Sequence, residues 1–219
     1  MNPRVSNQKT AAMTLVEVLV VLVVLAVLVA VFLPALTFRG ISSRPDPCYW
    51  NQRQITLAFR VWAGDHNDKY PMQVSDTNWG AYELALNGDV AGIFCTISNE
   101  LSTPKDLFCP QDKKRKAAVD FGSEFNRTHV NYFVGIDTDP KSPSKMILTG
   151  DDNLLVNANS ISSGLLCLST NASVTWTKAR HDGNGWVGFA DGNVQRVDSA
   201  TLQQTFQSVG IATNRLAIP

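Results

Sequence analysis

Residues 13–36 read MTLVEVLVVLVVLAVLVAVFLPAL. This run decides the architecture. It holds one ionisable residue, Glu17, near its start and one proline, Pro34, near its end. At about 1.5 Å rise per residue, a helix over it would be about 36 Å long, enough to cross a hydrocarbon core of about 30 Å. A cleaved secretory signal has a shorter apolar core followed by small residues. Here the core is longer, and the small pair Ala11-Ala12 precedes it. A buried helix of a soluble domain rarely runs so far without a polar face. A plain single-span anchor fits the length but gives no reason for Glu17. A carboxylate within a span is expensive and reads as functional.

Working outward, residues 1–12, MNPRVSNQKTAA, are short, polar and basic through Arg4 and Lys9, and Met13-Thr14-Leu15-Val16-Glu17 follows at once. This arrangement resembles the class III leader of type IV prepilins and type II secretion pseudopilins. The resemblance implies cleavage between Ala12 and Met13 by a prepilin peptidase and N-methyltransferase, which leaves the apolar helix in the mature chain. Glu17 then becomes the fifth mature residue and Pro34 the twenty-second, where the family carries its glutamate and commonly a proline. Two positions depart from the usual pattern: Ala12 stands where the family has Gly, and Met13 where it has Phe. A carboxylate in a membrane calls for a partner, and the resemblance implies that Glu17 meets the terminal amine of a neighbouring subunit. Basic residues before the span favour a cytoplasmic leader. That places the rest of the chain outside the inner membrane on a single-pass anchor.

The remainder is one domain of ordinary size, large enough for its own core. Lys and Arg number 19 against 19 Asp and Glu. With no basic patch or basic-aromatic run, no nucleic-acid partner is expected. The four cysteines, Cys48, Cys95, Cys109 and Cys167, show no CxxC spacing, which argues against a zinc finger. An extracytoplasmic head permits disulfides, and four cysteines allow three full pairings. Buried free thiols are the plain alternative.

Gly40, Pro45 and Pro47 predict a break or hinge over residues 37–47. From Cys48 to Gly64, apolar residues at Ile55, Phe59 and Trp62, with Leu57, Ala58 and Val61 between, predict a helix with a broad apolar face. Strand candidates are Val130–Ile136, Ser144–Thr149, Leu165–Ser169, Ser173–Thr177, Trp186–Ala190 and Val194–Val197. Leu202 and Phe206 suggest a short helix over Ser199–Val209. The expected fold is α+β and pilin-like: an N-terminal transmembrane helix (13–36), then a globular head (48–219) with a helix packed on an antiparallel sheet.

A second resemblance rests on Cys48-x-x-Asn51-x-x-Gln54-Ile55, Asp65-His66-Asn67-Asp68-Lys69-Tyr70-Pro71, Phe108-Cys109-Pro110-Gln111-Asp112, Asn131-Tyr132-Phe133-Val134-Gly135 and Gly150-Asp151-Asp152-Asn153-Leu154. Nine residues also separate His181 from Asp191-Gly192. Together these are similar to a subfamily of prepilin-like proteins abundant in Planctomycetes and Verrucomicrobia, with its His-x9-Asp-Gly carboxy-terminal signature. The signature at His181, Asp191 and Gly192 also reads as turn chemistry, because Gly and Asn tolerate positive φ between two strands. The sharper reading makes His181, Asp191 and Asp182 metal ligands or a partner contact. Asp65, Asn67 and Asp68, and likewise Asp137 and Asp139, offer oxygens at calcium-like spacing without a full EF-hand pattern.

No Gly-x-Ser-x-Gly elbow, His-Glu-x-x-His or phosphate loop is present, so no catalytic residue is expected. The resemblance implies a non-enzymatic subunit of a type IV pilus-like or type II secretion pseudopilus filament. Its partners would be the peptidase, other pilin-like subunits, an inner-membrane secretion or pilus assembly platform, and the lipid bilayer. The rival is a membrane-anchored envelope protein with the same leader, whose head binds a ligand, metal or polysaccharide.

Overall fold

The computed structural model describes residues 15–37 and 46–219, with side chains over 15–30 and 46–219. The chain divides into two units at residues 44/45. The first holds helix α1, Leu15–Thr37. Valine and leucine make it apolar on every side, and the described side chains from Leu15 to Ala30 are exposed. The backbone helix has 23 residues, and at about 1.5 Å each it is about 35 Å long. No helix is long and apolar enough to cross a membrane within the described residues. On α1 the described side chains stop short of the about 20 apolar residues a crossing takes.

The head is α+β. Helix α2, Pro47–Asp65, starts where Asp46 accepts a hydrogen bond from the Cys48 backbone N–H at 3.0 Å and Pro47 occupies the first turn. An Asp cap and an early proline are both favoured at a helix start. α2 buries Cys48, Gln52, Ile55, Thr56, Phe59, Trp62 and Ala63. That spacing defines one face. Leu57 and Val61 stay half exposed, so the apolar face against the core is narrower than the sequence suggests. Three short helices follow: α3 Tyr82–Leu86, α4 Val90–Thr96 and α5 Ser98–Leu101.

The strands are β1 Tyr132–Gly135, β2 Ile147–Asp151, β3 Leu154–Val156, β4 Asn159–Ser160, β5 Gly164–Ser169, β6 Val174–Trp176, β7 Asn184–Phe189, β8 Val194–Asp198 and, after helix α6 (Ser199–Ser208), β9 Thr213–Ile218. Six form one sheet in the order β5-β9-β1-β2-β7-β8, and β4-β3-β6 form a second. Every pair is antiparallel. The large sheet is covered on both faces. Tyr132, Val134 and Ala217 join the core under α2 and the short helices. Their strand neighbours Phe133, Leu216 and Ile218 join the opposite core with α6 and the small sheet. The alternation follows from the two-residue period of a strand. Two-sided burial explains why β1 reads as a continuous apolar run.

Candidate functional site

Separate stretches of the head converge on one buried cluster. Cys48 lies in the first turn of α2 and Cys109 beyond the 3-10 turn Pro104–Leu107, and a disulfide joins them with a Cα–Cα distance of 5.5 Å. Cys95 and Cys167 are exposed thiols. Beside the disulfide sits His181, held in a loop whose three successive residues, His181, Asp182 and Gly183, have φ of 52°, 55° and 77°. Two of them are non-glycine residues, and such a backbone persists only where surrounding contacts enforce it. Those contacts are visible. The His181 N–H donates to Gln111 Oε1 at 3.0 Å, and its carbonyl accepts from Arg196 Nη2 at 2.9 Å.

Both ring nitrogens face partners. Nδ1 lies 3.1 Å from Asp46 Oδ2. The same Asp46 oxygen accepts from Trp186 Nε1 at 3.1 Å. Nε2 lies 3.5 Å from Cys109 Sγ and 3.4 Å from Asp151 Oδ2. A proton on Nδ1 satisfies Asp46 and leaves the Nε2 lone pair facing sulfur and carboxyl. Burial pushes the His181 imidazole below its ordinary range, with Asp46 pulling the other way.

Asp151, at the end of β2, is fully buried. Its Oδ2 accepts from the Trp186 backbone N–H at 2.6 Å, while Oδ1 has no hydrogen-bond partner among the described residues. Burial raises its pKa to about 7, against the lowering pull of the Arg180 guanidinium and the Trp186 N–H. A buried carboxylate with an unsatisfied oxygen is expensive, so it calls for a proton or a cation. Arg180 and Arg115 both ion-pair with the next residue, Asp152. The Asn131 side chain accepts from the Cys109 N–H at 3.0 Å and donates to Asp112 at 2.5 Å. Asn51 donates to the Phe108 carbonyl at 2.7 Å and to the Tyr132 hydroxyl at 3.1 Å. The blocks around Cys48, Cys109, Asn131, Asp151 and His181 therefore share one neighbourhood.

The signature residues do not stay together. His181 precedes β7, while Asp191 and Gly192 lie in the turn from β7 to β8. A six-residue strand separates them by about 20 Å, so they cannot ligate one ion. Asp191 Oδ1 accepts from the Asn193 N–H at 2.9 Å, and Gly192 has φ +87°. Asp65 ends α2, with Asn67 and Asp68 in left-handed conformations behind it. Asp137 ion-pairs with Arg215. Among the described residues, the group of three or more His, Cys, Asp and Glu side chains close enough to share an ion is Cys48, Cys109 and His181, with ligand atoms within 4.8 Å of one another. None of the acidic calcium candidates belongs to it.

Sequence reasoning missed Asp46 as a partner of His181. Asp46-Pro47 before a helical pattern announces a cap, but no local signal ties that carboxylate to a histidine 135 residues away. At the other end of the chain, Glu17 lies in the first turn of α1. Ala12 and Met13 fall outside the described residues, as do residues 38–45 of the expected hinge. Helix α1 continues past Pro34, whose side chain lies outside the description.

A family model described as "Prokaryotic N-terminal methylation motif" matches residues 7–33. The match supports a prepilin-type leader and covers the expected cut site and Glu17. No curated protein and no solved structure matches the chain.

Proposed function

We propose that this chain is a non-enzymatic, prepilin-like subunit. In this reading it is cut after Ala12, methylated on the Met13 amine and anchored in the inner membrane by the apolar helix. It then packs that helix against its neighbours in a type IV pilus-like or type II secretion pseudopilus filament. The observation that carries the reading is the methylation motif at residues 7–33 laid over a helix whose described side chains, residues 15–30, are exposed and, Glu17 apart, apolar or small. Such a surface is stable only inside a bilayer or against other apolar helices, and a pilin-like subunit uses both in turn. A repeated head-to-tail packing of one helix gives an open filament rather than a closed ring. The His-x9-Asp-Gly subfamily remains part of the proposal. Its support is the meeting of the Cys48, Cys109, Asp151 and His181 blocks in the head.

Processing tests the reading directly. In cells that carry a prepilin peptidase, the mature chain should start at Met13 by intact mass and amino-terminal sequencing. A mature chain beginning at Met1, or one cut beyond Leu36, would sink it. The envelope-binder alternative is favoured by the polar, buried composition of the head cluster. It predicts correct processing but no entry into filaments.

A further inference from the structure

We infer that Cys48, Cys109 and His181 form a zinc site in the reduced head, with the Asp151 carboxylate beside it, and that the disulfide and the metal are alternative ways of closing the same buried junction. Tetrahedral zinc holds thiolate at about 2.3 Å and imidazole or carboxylate at about 2.0 to 2.1 Å. Those bond lengths put a sulfur–nitrogen edge of the tetrahedron at about 3.6 Å and a nitrogen–oxygen edge at about 3.3 Å. The head already presents the first of these edges, Cys109 Sγ to His181 Nε2 at 3.5 Å, and Asp151 Oδ2 lies 3.4 Å from the same nitrogen, beside the site. All ligand atoms of the two cysteines and the histidine lie within 4.8 Å of one another.

Three further features belong to a ligand set rather than to a packed disulfide alone. Asp46 on Nδ1, at 3.1 Å, is the carboxylate–histidine arrangement that orients a ligating imidazole and keeps its other nitrogen available. Asp151 is fully buried, with Oδ2 facing the His181 ring and Oδ1 unpartnered among the described residues, and a dication beside it would offset the cost of its buried charge. The His181 ring reaches the cluster from a left-handed backbone at His181 and Asp182. Two thiolates and an imidazole are the donor types that select zinc over calcium or magnesium.

The chemistry balances in two steps. A dithiol reductant gives two electrons and two protons to the Cys48–Cys109 disulfide, leaving two thiols and becoming a disulfide itself. Zinc then displaces the two thiol protons to solvent as bonds to the two thiolates and the His181 imidazole form, and a water completes the tetrahedron. The bound set carries two thiolates against the dication, and the Asp151 carboxylate lies next to it. The excess negative charge lies beside Arg180, whose guanidinium interacts electrostatically with Asp151.

The test uses the full chain in detergent micelles and zinc chloride itself as the probe. The oxidised chain should hold no stoichiometric zinc after desalting. After reduction with a phosphine, it should retain one zinc per chain by elemental analysis and keep or regain its native near-ultraviolet circular dichroism. Cobalt in place of zinc should give a thiolate charge-transfer band and tetrahedral absorption in the red. His181→Ala and Asp151→Asn should each weaken zinc binding by at least about tenfold, Cys48→Ser should abolish it, and Asp191→Asn should leave it unchanged. The inference is overturned if the reduced, natively folded parent takes up no zinc, or if His181→Ala binds as tightly as the parent. It is equally overturned if the reduced chain unfolds and zinc fails to restore the native spectrum, or if the oxidised chain binds just as well.

Discussion

His181 is used on both ring nitrogens and on both sides of its backbone, by Asp46, Cys109, Asp151, Gln111 and Arg196. Truncating it in the oxidised chain removes the ring between two carboxyl groups. Asp46 keeps its bond from Trp186 Nε1, which limits the damage. His181→Ala is therefore expected to cost about 1–3 kcal/mol, read as a lower urea midpoint at unchanged slope. Gly192 presents a different kind of residue-level demand. Its φ is +87°, and a Cβ there would lie 3.0 Å from Arg60 Cδ. Gly192→Val should cost about 1–3 kcal/mol through backbone strain, because a β-branched side chain is poorly tolerated at positive φ. Asp191→Asn keeps the oxygen that accepts from the Asn193 N–H and should stay within about 0.5 kcal/mol of the parent. A loss for Asp191→Asn as large as that for His181→Ala would show that the turn needs the Asp191 charge and not only its bond to the Asn193 N–H.

At the scale of elements, β7 is where helix and sheet meet most closely. A Cβ at Gly188 would lie 2.4 Å from Thr56 Oγ1 on α2 and 2.9 Å from Thr149 Cγ2 on β2. Gly188→Ala should push α2 off the sheet and cost about 1–3 kcal/mol by overpacking. A melting temperature equal to the parent's would show that the helix rides further from the sheet. β9 is the other element on which the sheet turns. It lies between β5 and β1 and buries Leu216, Ala217 and Ile218. Its placement was not legible, because TNRLAI is short, lies at the end of the chain, and pairs with strands far away in sequence. The β7–β8 hairpin was legible because its signal is local: Trp186 to Ala190, a turn of Asp, Gly and Asn, then Val194 to Val197. α2 was legible for the same reason, from its Ile55, Phe59 and Trp62 spacing. The helices between Tyr82 and Leu101 were not, since each is at most seven residues long and none carries a full period of apolar spacing. In the site the division is the same. Single residues could be named from motifs, but the pairing of Cys48 with Cys109, the reach of Asp46 and the burial of Asp151 arise only when distant segments pack.

Over the whole molecule, two kinds of stability are kept apart. The head closes a loop of 61 residues with its disulfide, and a loop of that size contributes about 4 kcal/mol by restricting the unfolded chain. Reduction without metal should lower the head's unfolding free energy by about that amount. The described side chains of the apolar helix, from Leu15 to Ala30, are exposed. Its exposed apolar surface therefore bears on where the protein resides and what it packs against, rather than on whether the head folds. Glu17, in the first turn of that helix, gives the sharpest separation of the two. If its carboxylate meets the terminal amine of a neighbouring subunit, as the prepilin-type leader implies, its loss weakens the joining of subunits. Glu17→Ala should leave the chain in the membrane fraction, cut at Met13, with the melting temperature of the head unchanged, yet absent from sheared filaments. Glu17→Gln should fail in the same way, because the attraction needs the charge and not merely a hydrogen-bond acceptor. Incorporation of Glu17→Ala at the parent's level would show that Glu17 takes no part in assembly. A head destabilised by the same substitution would show that the two units are energetically one.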